Sequence, residues 1–183
     1  MFMHSKQFKH VATAVAASLA LAFAGAANGA VDFFLKIDGI KGESTDKDHK
    51  DEIEIASFSW GASQSSSTGS GAGARAGKSC AQEFNFTKMV DKSSPLLAGG
   101  VMSGMVIPNA ILIGRKSGGD KPVEYLQYEM KNVLISSYAI AGSGGSLPMD
   151  SFSLNFSNVT FEYKSPAFDA TGDPVRTTIP GGC

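Results

Sequence analysis

The sequence predicts a mainly β protein, a two-sheet barrel or sandwich with one short flanking α-helix. Three observations lead there. Apolar residues alternate with period two in run after run, as in residues 33–37, 106–116 and 152–163. Turn signals such as "SGGDKP" and "AGSGGS" separate the runs at hairpin spacing. The best helix start is "DKSSPLL".

In chain order, residues 1–30 have the form of a Sec signal peptide. Lys6 and Lys9 precede an uncharged apolar run over residues 11–23, which is shorter than the ~20 residues that span a bilayer. Small residues, "AGAANGA", follow, and cleavage after Ala26, Ala27 or Ala30 fits them. Residues 31–165 form the expected β domain, and residues 166–183, punctuated by Pro and Gly, a flexible tail.

Within the domain, Phe33, Leu35 and Ile37 alternate with Phe34 and Lys36 as a first strand. A heavily charged connection, "KGESTDKDHKDE", leads to a second strand over residues 53–60. One face of that strand carries Glu54, Ala56, Phe58 and Trp60, the other Ile53, Ile55, Ser57 and Ser59. Neither face is cleanly polar, so both are expected to be covered along part of their length. Residues 61–80 are rich in Gly, Ser and Ala, and a mobile loop is expected. A short strand follows through Phe84 and Phe86. Ser94 is the expected N-cap and Pro95 the first helical residue of a helix reaching about Ser103. Its Gly99–Gly100 pair leaves packing to hold it. Residues 106–116 and 123–138 make two more strands, the second bending or bulging near Asn132. Phe152, Leu154 and Phe156 share one strand face; Val159, Phe161 and Tyr163 continue it after a register change at Asn158.

Composition narrows the function. A hydrophobic fraction of 43% with 18% charged residues can bury a core and is not that of a disordered chain. Lys and Arg number 16 against 17 acids, so no basic excess points to nucleic acid. Beyond the leader His49 is the only histidine, and it sits inside the charged connection. Neither a G-x-S-x-G nor an H-E-x-x-H motif is present. The run "GSGAGARAGKS" misses phosphate-loop spacing by one residue, counted from Gly73 or from Gly71. No enzyme, cofactor or metal site is expected. Cys80 and Cys183 are the two cysteines; export would put them in an oxidising space, and a bridge within or between chains stays open.

The segments "FLKIDGIKGEST", "HKDEIEI", "SFSWG", "FTKMVDKSSPLL", "KPVEYLQYEMKNVLISSY" and "LPMDSFSLNFSNVTFEY" occur in one order over roughly residues 31–165. In that order they resemble the haemolysin-coregulated protein (Hcp) family, the tube protein of bacterial type VI secretion. The resemblance implies a β-barrel that assembles as a hexameric ring, rings that stack into a tube, and effectors carried in the channel. Its partners would be further copies of itself and other type VI components or effectors, with no stable membrane insertion after leader removal. On this reading Glu43, Asp46, Lys47, Asp48, His49, Lys50 and Asp51 project from the barrel and meet a neighbouring subunit or ring. Ser57 and Ser59, opposite Phe58 and Trp60, face the channel. The leader departs from the family, whose members assemble in the cytoplasm. It implies a secreted product, periplasmic or extracellular, and leaves a second reading: an exported ring that binds carbohydrate or protein.

Overall fold

The computed structural model describes residues 30–67, 75–117, 121–165 and 173–183. Apart from Ala30, the expected leader lies outside the described residues. So do the middle of the Gly-rich segment and the start of the expected tail.

The described chain is mainly β. Its strands are β1 (Val31–Ile37), β2 (Ile53–Ile55), β3 (Ser57–Ser59), β4 (Ala62–Ser67), β5 (Arg75–Ala81) and β6 (Phe84–Met89). The helix α1 (Ser94–Ser103) follows, then β7 (Val106–Lys116), β8 (Val123–Ala141), β9 (Met149–Asn155), β10 (Asn158–Tyr163) and β11 (Val175–Pro180). One antiparallel sheet runs β2-β1-β7-β8-β9-β6-β3, with β10 on β8 and β11 on β10; β4 and β5 form a second, two-stranded sheet. The path of the large sheet begins and ends on one kinked segment, because only Ala56 separates β2 from β3.

Core-facing residues change parity at one level of this sheet. In β7 the buried set is Ile107, then Ala110 and Leu112. In β8 it is Tyr128 and Met130, then Val133 and Ile135. Along β9 and β10 it is Phe152, Leu154 and Phe156, then Val159. Each strand carries one extra residue there, near Pro108, at Asn132 and around Ser157. Asn132 is left-handed (φ 49°), a conformation that asparagine tolerates better than most residues. Neighbours carry the extra residue at the same level, so pairing stays in step: Ile107 opposes Val133, and Lys131 opposes both Asn109 and Asn158. Side chains stitch the line: Lys131 Nζ donates to Asn109 Oδ1 (3.0 Å), Asn132 Nδ2 to Ser157 Oγ (3.0 Å), and Ser157 Oγ to Lys131 O (3.0 Å).

The β2–β3 segment behaves in the same way. Ile53 and Ile55 are buried, and after Ala56 the inward set becomes Phe58 and Trp60. Instead of two mixed faces, the segment has one inward face that changes parity. The Ala56 N–H donates to Thr87 O at 2.9 Å, pinning the kink to β6.

Three expectations are corrected. The Gly-rich segment is not a loop throughout: β4 and β5 pair as a ladder with an irregularity between Gln64 and Ser66. Backbone pairing suffices for a ladder that covers little core. Residues 175–180 of the expected flexible tail form β11, because β10 offers an open edge along Asn158–Tyr163. At the helix start Ser93, not Ser94, occupies the cap position, and it makes no side-chain cap bond.

Ser94 is otherwise engaged. Its hydroxyl donates to Asp150 Oδ2 and accepts from Lys88 Nζ at 3.0 Å. Lys88 Nζ also donates to Asp91 Oδ1 (2.7 Å) and Met89 O (3.0 Å) and lies 2.9 Å from Asp150 Oδ2. Tyr138 OH donates to Asp150 Oδ1 at 2.9 Å. Lys88 and Asp150 have fully buried side chains. Burial pushes the Asp91 carboxyl up, but hydrogen bonds from Lys88 and Ser93 outweigh it and hold it below its ordinary value. This network fixes where α1 starts. Further along, a Cβ on Gly100 would sit 2.7 Å from Ile135 Cδ1, so the glycine lets the helix lie close on β8.

Removing Lys88 leaves Asp150 buried without its cation. Lys88→Ala is expected to destabilise the domain by ~3–5 kcal/mol in urea unfolding. A loss below about 1 kcal/mol, the range of an exposed pair, would show that the network is not structural.

Candidate functional site

Two surfaces carry the subunit-contact and channel residues expected from sequence. The first is the charged connection between β1 and β2. It lies back along the outer face of β1, where Phe34 is buried although it points away from the main core. His49 stacks on the Phe34 ring (4.3 Å between centroids, 10° between planes), and the Arg115 guanidinium lies 4.8 Å from the centroid of the same ring. Arg115 binds Asp46 through both terminal nitrogens (2.8 and 2.6 Å). Asp46 Oδ1 also accepts from the N–H groups of Asp48 (2.9 Å) and His49 (3.2 Å). The bond to Arg115 is the main reason that the Asp46 carboxyl is held far below the usual range. His49 Nδ1 lies 2.9 Å from Glu52 Oε2, and its Nε2 lies 3.4 Å from Glu124 Oε1 without hydrogen-bond geometry.

The loop does not project freely. Asp46 and His49 turn inward, while Glu43, Lys47, Asp48 and Lys50 are exposed. Glu43 Oε1 accepts from the Lys92 N–H (3.1 Å), and Asp51 pairs with Lys41 (3.4 Å) and Lys92 (3.5 Å). Gly42 is required where the loop returns: a Cβ there would meet Glu52 O at 2.3 Å.

The second surface is the outer face of β3, β6, β9 and β8. Register places Ser57, Thr87, Ser151 and Ala139 in one cross-strand row, and Ser59, Asn85, Ser153 and Ser137 in the next. Seven of these eight side chains are hydroxyls or an amide, and none is charged. They bond one another: Ser57 Oγ to Thr87 Oγ1 (2.6 Å), Ser137 Oγ to Ser153 Oγ (2.8 Å), and Ser153 Oγ to Asn85 Oδ1 (2.8 Å). The rows line a groove of about 300 Å³. At one end Glu83 is bound by Ser136 (2.7 Å) and Asn155 (3.0 Å); at the other stand the exposed Met89 and Met149. Such a wall offers hydrogen bonds of adaptable direction and no fixed charge. Among the described residues no group of three or more His, Cys, Asp or Glu could hold a metal ion, and no helix is long and apolar enough to cross a membrane. Lys78 and Ser79 of the phosphate-loop look-alike lie in β5, a strand.

The family described as "Type VI secretion system effector, Hcp" matches residues 34–163. The chain belongs to the Hcp family. It is 45% identical to protein hcp1 of Pseudomonas aeruginosa over 150 residues, 80% of this chain and 93% of that protein. The crystal structure of Hcp1 from Salmonella typhimurium aligns with a TM-score of 0.68 at 35% identity, covering 82% of this chain and 95% of that one. A type VI secretion system effector from Yersinia pestis aligns with a TM-score of 0.66 at 28% identity, covering 81% and 99%.

Segments that carried the Hcp resemblance build the anchors just described. "FTKMVDKSSPLL" supplies Lys88, Asp91 and Ser94, and "LPMDSFSLNF" supplies Asp150 together with Ser151 and Ser153 of the hydroxyl face. Sequence reasoning singled out Ser57 and Ser59 but missed their six neighbours. Alternation in "FNFTKM" and "DSFSLN" was the available signal, since Phe84, Phe86, Phe152 and Leu154 are each flanked by a small polar residue. Arg115 was missed because its partner Asp46 lies 69 residues away. Cys80 and Cys183 are joined by a disulfide in the structure.

Two expectations follow. Trp60 stacks on Phe84 (5.3 Å, 9°), so Trp60→Ala should cost ~3–5 kcal/mol while Ser59→Ala stays near neutral; equal losses in chemical denaturation would reverse the facing of this strand. Asp46→Asn should cost roughly 1–3 kcal/mol at neutral pH. The folded carboxyl titrates below its ordinary 3.8, so its contribution is complete above that pH and drains away as pH falls through the lowered range. The stability gap between parent and variant should shrink in acid; a gap independent of pH would mean that charge does not hold the loop.

Proposed function

We propose that this chain is a structural, non-enzymatic secretion protein that closes into a hexameric ring, with rings that stack into a type VI tube. The hydroxyl face would line the channel. The observation that carries this reading is the pair of uncharged rows across four strands, in a chain of the Hcp family. A channel that passes varied protein cargo gains from small side chains that already satisfy one another, because no ion pair must be broken as cargo moves. The exposed loop charges Glu43, Lys47, Asp48 and Lys50 suit a rim contact between subunits, where mixed signs set register more than affinity. Asp46, His49 and Asp51 then act by holding the loop in shape. A head-to-tail contact that closes gives the ring.

The leader over residues 1–30 favours a second reading, in which the same ring is exported by the Sec route and works in the periplasm or outside the cell. Its channel would then bind carbohydrate or protein. The mass of the mature N-terminus separates the two: a start between residues 27 and 31 supports export, and an unprocessed chain recovered from the cytoplasm supports the injection tube.

Light scattering of the processed chain at micromolar concentration should return a hexamer, and electron microscopy should show rings. A monomer by both methods would sink the ring in either version.

A further inference from the structure

β11 and the residues after it are held by two kinds of contact of unequal strength. β11 pairs with β10 through six residues, from Asn158 opposite Pro180 to Tyr163 opposite Val175. Within β11 only Ile179 packs against the core, and Val175 is 72% exposed. The Thr160–Thr178 hydroxyl pair (3.1 Å) is exposed and the Glu162–Arg176 ion pair (3.0 Å) largely so, and such pairs add little. A strand added at an edge with so little apolar burial belongs to the low-stability end of a structure. Beyond it three contacts cluster: Gly181 N–H donates to Ser157 O (2.8 Å), Ala81 N–H donates to Gly182 O (3.1 Å), and Cys183 is bonded to Cys80.

We propose that Cys80 and Cys183 form a thiol–disulfide exchange site that clamps β11 onto β10 under oxidising conditions and releases it under reducing ones. The bond joins residues 103 apart in sequence, and so keeps the detached strand near its edge. Cys183 is exposed and Cys80 half-buried, so an incoming thiolate has access to the Cys183 sulfur. Its attack forms a mixed disulfide there and expels Cys80 as thiolate, which takes up a proton. A second thiol of the reductant then attacks the mixed disulfide, freeing Cys183 as a thiol and leaving the reductant as a disulfide. Two electrons enter the protein. The reverse reaction needs a disulfide oxidant of the kind found in oxidising compartments, which leaves as a dithiol.

In the clamped state the β10 edge, Ser157 O and Ala81 N–H are all paired. In the released state they face water, and β10 presents an open edge. A chain kept in a reducing compartment and a chain passed into an oxidising one thus differ at this edge. Only that last step rests on the export reading; the clamp itself does not.

The test uses the purified full chain, oxidised with glutathione disulfide or reduced with dithiothreitol. Thiol titration should find none free in the first sample and both cysteines free in the second. Amide hydrogen exchange over residues 175–182 should speed up by about tenfold or more on reduction, while β7 and the buried part of β8 keep their protection. Cys183→Ser should show the fast rate in both buffers, and Cys80→Ser should match it. Reduction of the parent needs no variant to fold. Two free thiols after oxidation, unchanged exchange over residues 175–182, or a rise shared by every segment would each overturn the clamp. A chain that stays in the cytoplasm of its host yet clamps on oxidation in vitro would defeat the export reading and leave this one standing.

Discussion

The extra residue that β7, β8 and the β9–β10 run carry at one common level is the constraint on which the rest of this architecture depends. An extra residue in a single strand would slip its register and turn the side chains beyond it to the wrong face. Placed in three neighbours at once, it changes parity in all of them and leaves the ladders in step, so that Leu134–Asn155 and Lys131–Asn158 are separated by the same distance along both strands. The sheet can change direction there with its register kept, although the β7–β8 ladder skips Pro108 and Asn132 at the bend. That is why β8 can have β9 along one half and β10 along the other, and why the hydroxyl face and the β10–β11 edge occupy different halves of one sheet.

Two cations then fix what the sheet alone cannot. Helix α1 has no side-chain cap and two adjacent glycines, so neither its termini nor its intrinsic propensity determines where it lies. Lys88 does so from inside, by holding Asp91, Ser94 and Asp150 around one buried ammonium. A buried ion pair is weak evidence for net stability, but it disfavours any other seating of the helix, because each alternative strands a charge. Arg115 plays the corresponding part near the surface. It clips Asp46 over Phe34, and the loop covers an aromatic ring that the outer face of β1 would otherwise expose. The charged connection serves first as a lid on its own strand, and its remaining charges are what a neighbour can reach.

Much of this was legible in the sequence. The period-two runs marked the strands, Asn132 marked the bend in β8, and Asn158 marked the change in register after Phe156, because each is a local pattern. The helix was one residue off at its start, since Ser93 and Ser94 are chemically equivalent candidates and only the distant Asp150 distinguishes them. Phe33 and Phe34 were read only as alternating strand residues, and which segment covers Phe34 depends on Arg115, far along the chain. β4, β5 and β11 were read as loop or tail because their composition is poor in core residues. Composition reports burial, however, and these strands are held by ladders and a disulfide rather than by burial.

The elements that depend least on the core are also the ones the disulfide ties together. Cys80 lies in β5 of the outlying hairpin, and Cys183 lies beyond β11, past the residues 34–163 that define the family match. The Lys88 network, the corner line and the hydroxyl rows all lie within that match and use no cysteine side chain. A disulfide at the periphery can therefore respond to the redox state around it while the frame that would form a ring stays unchanged. The same separation would apply to an N-terminal leader, which would precede β1 and replace none of the side chains that build either surface. Changes at the two ends of an Hcp frame thus leave the chemistry of its hydroxyl face as it was.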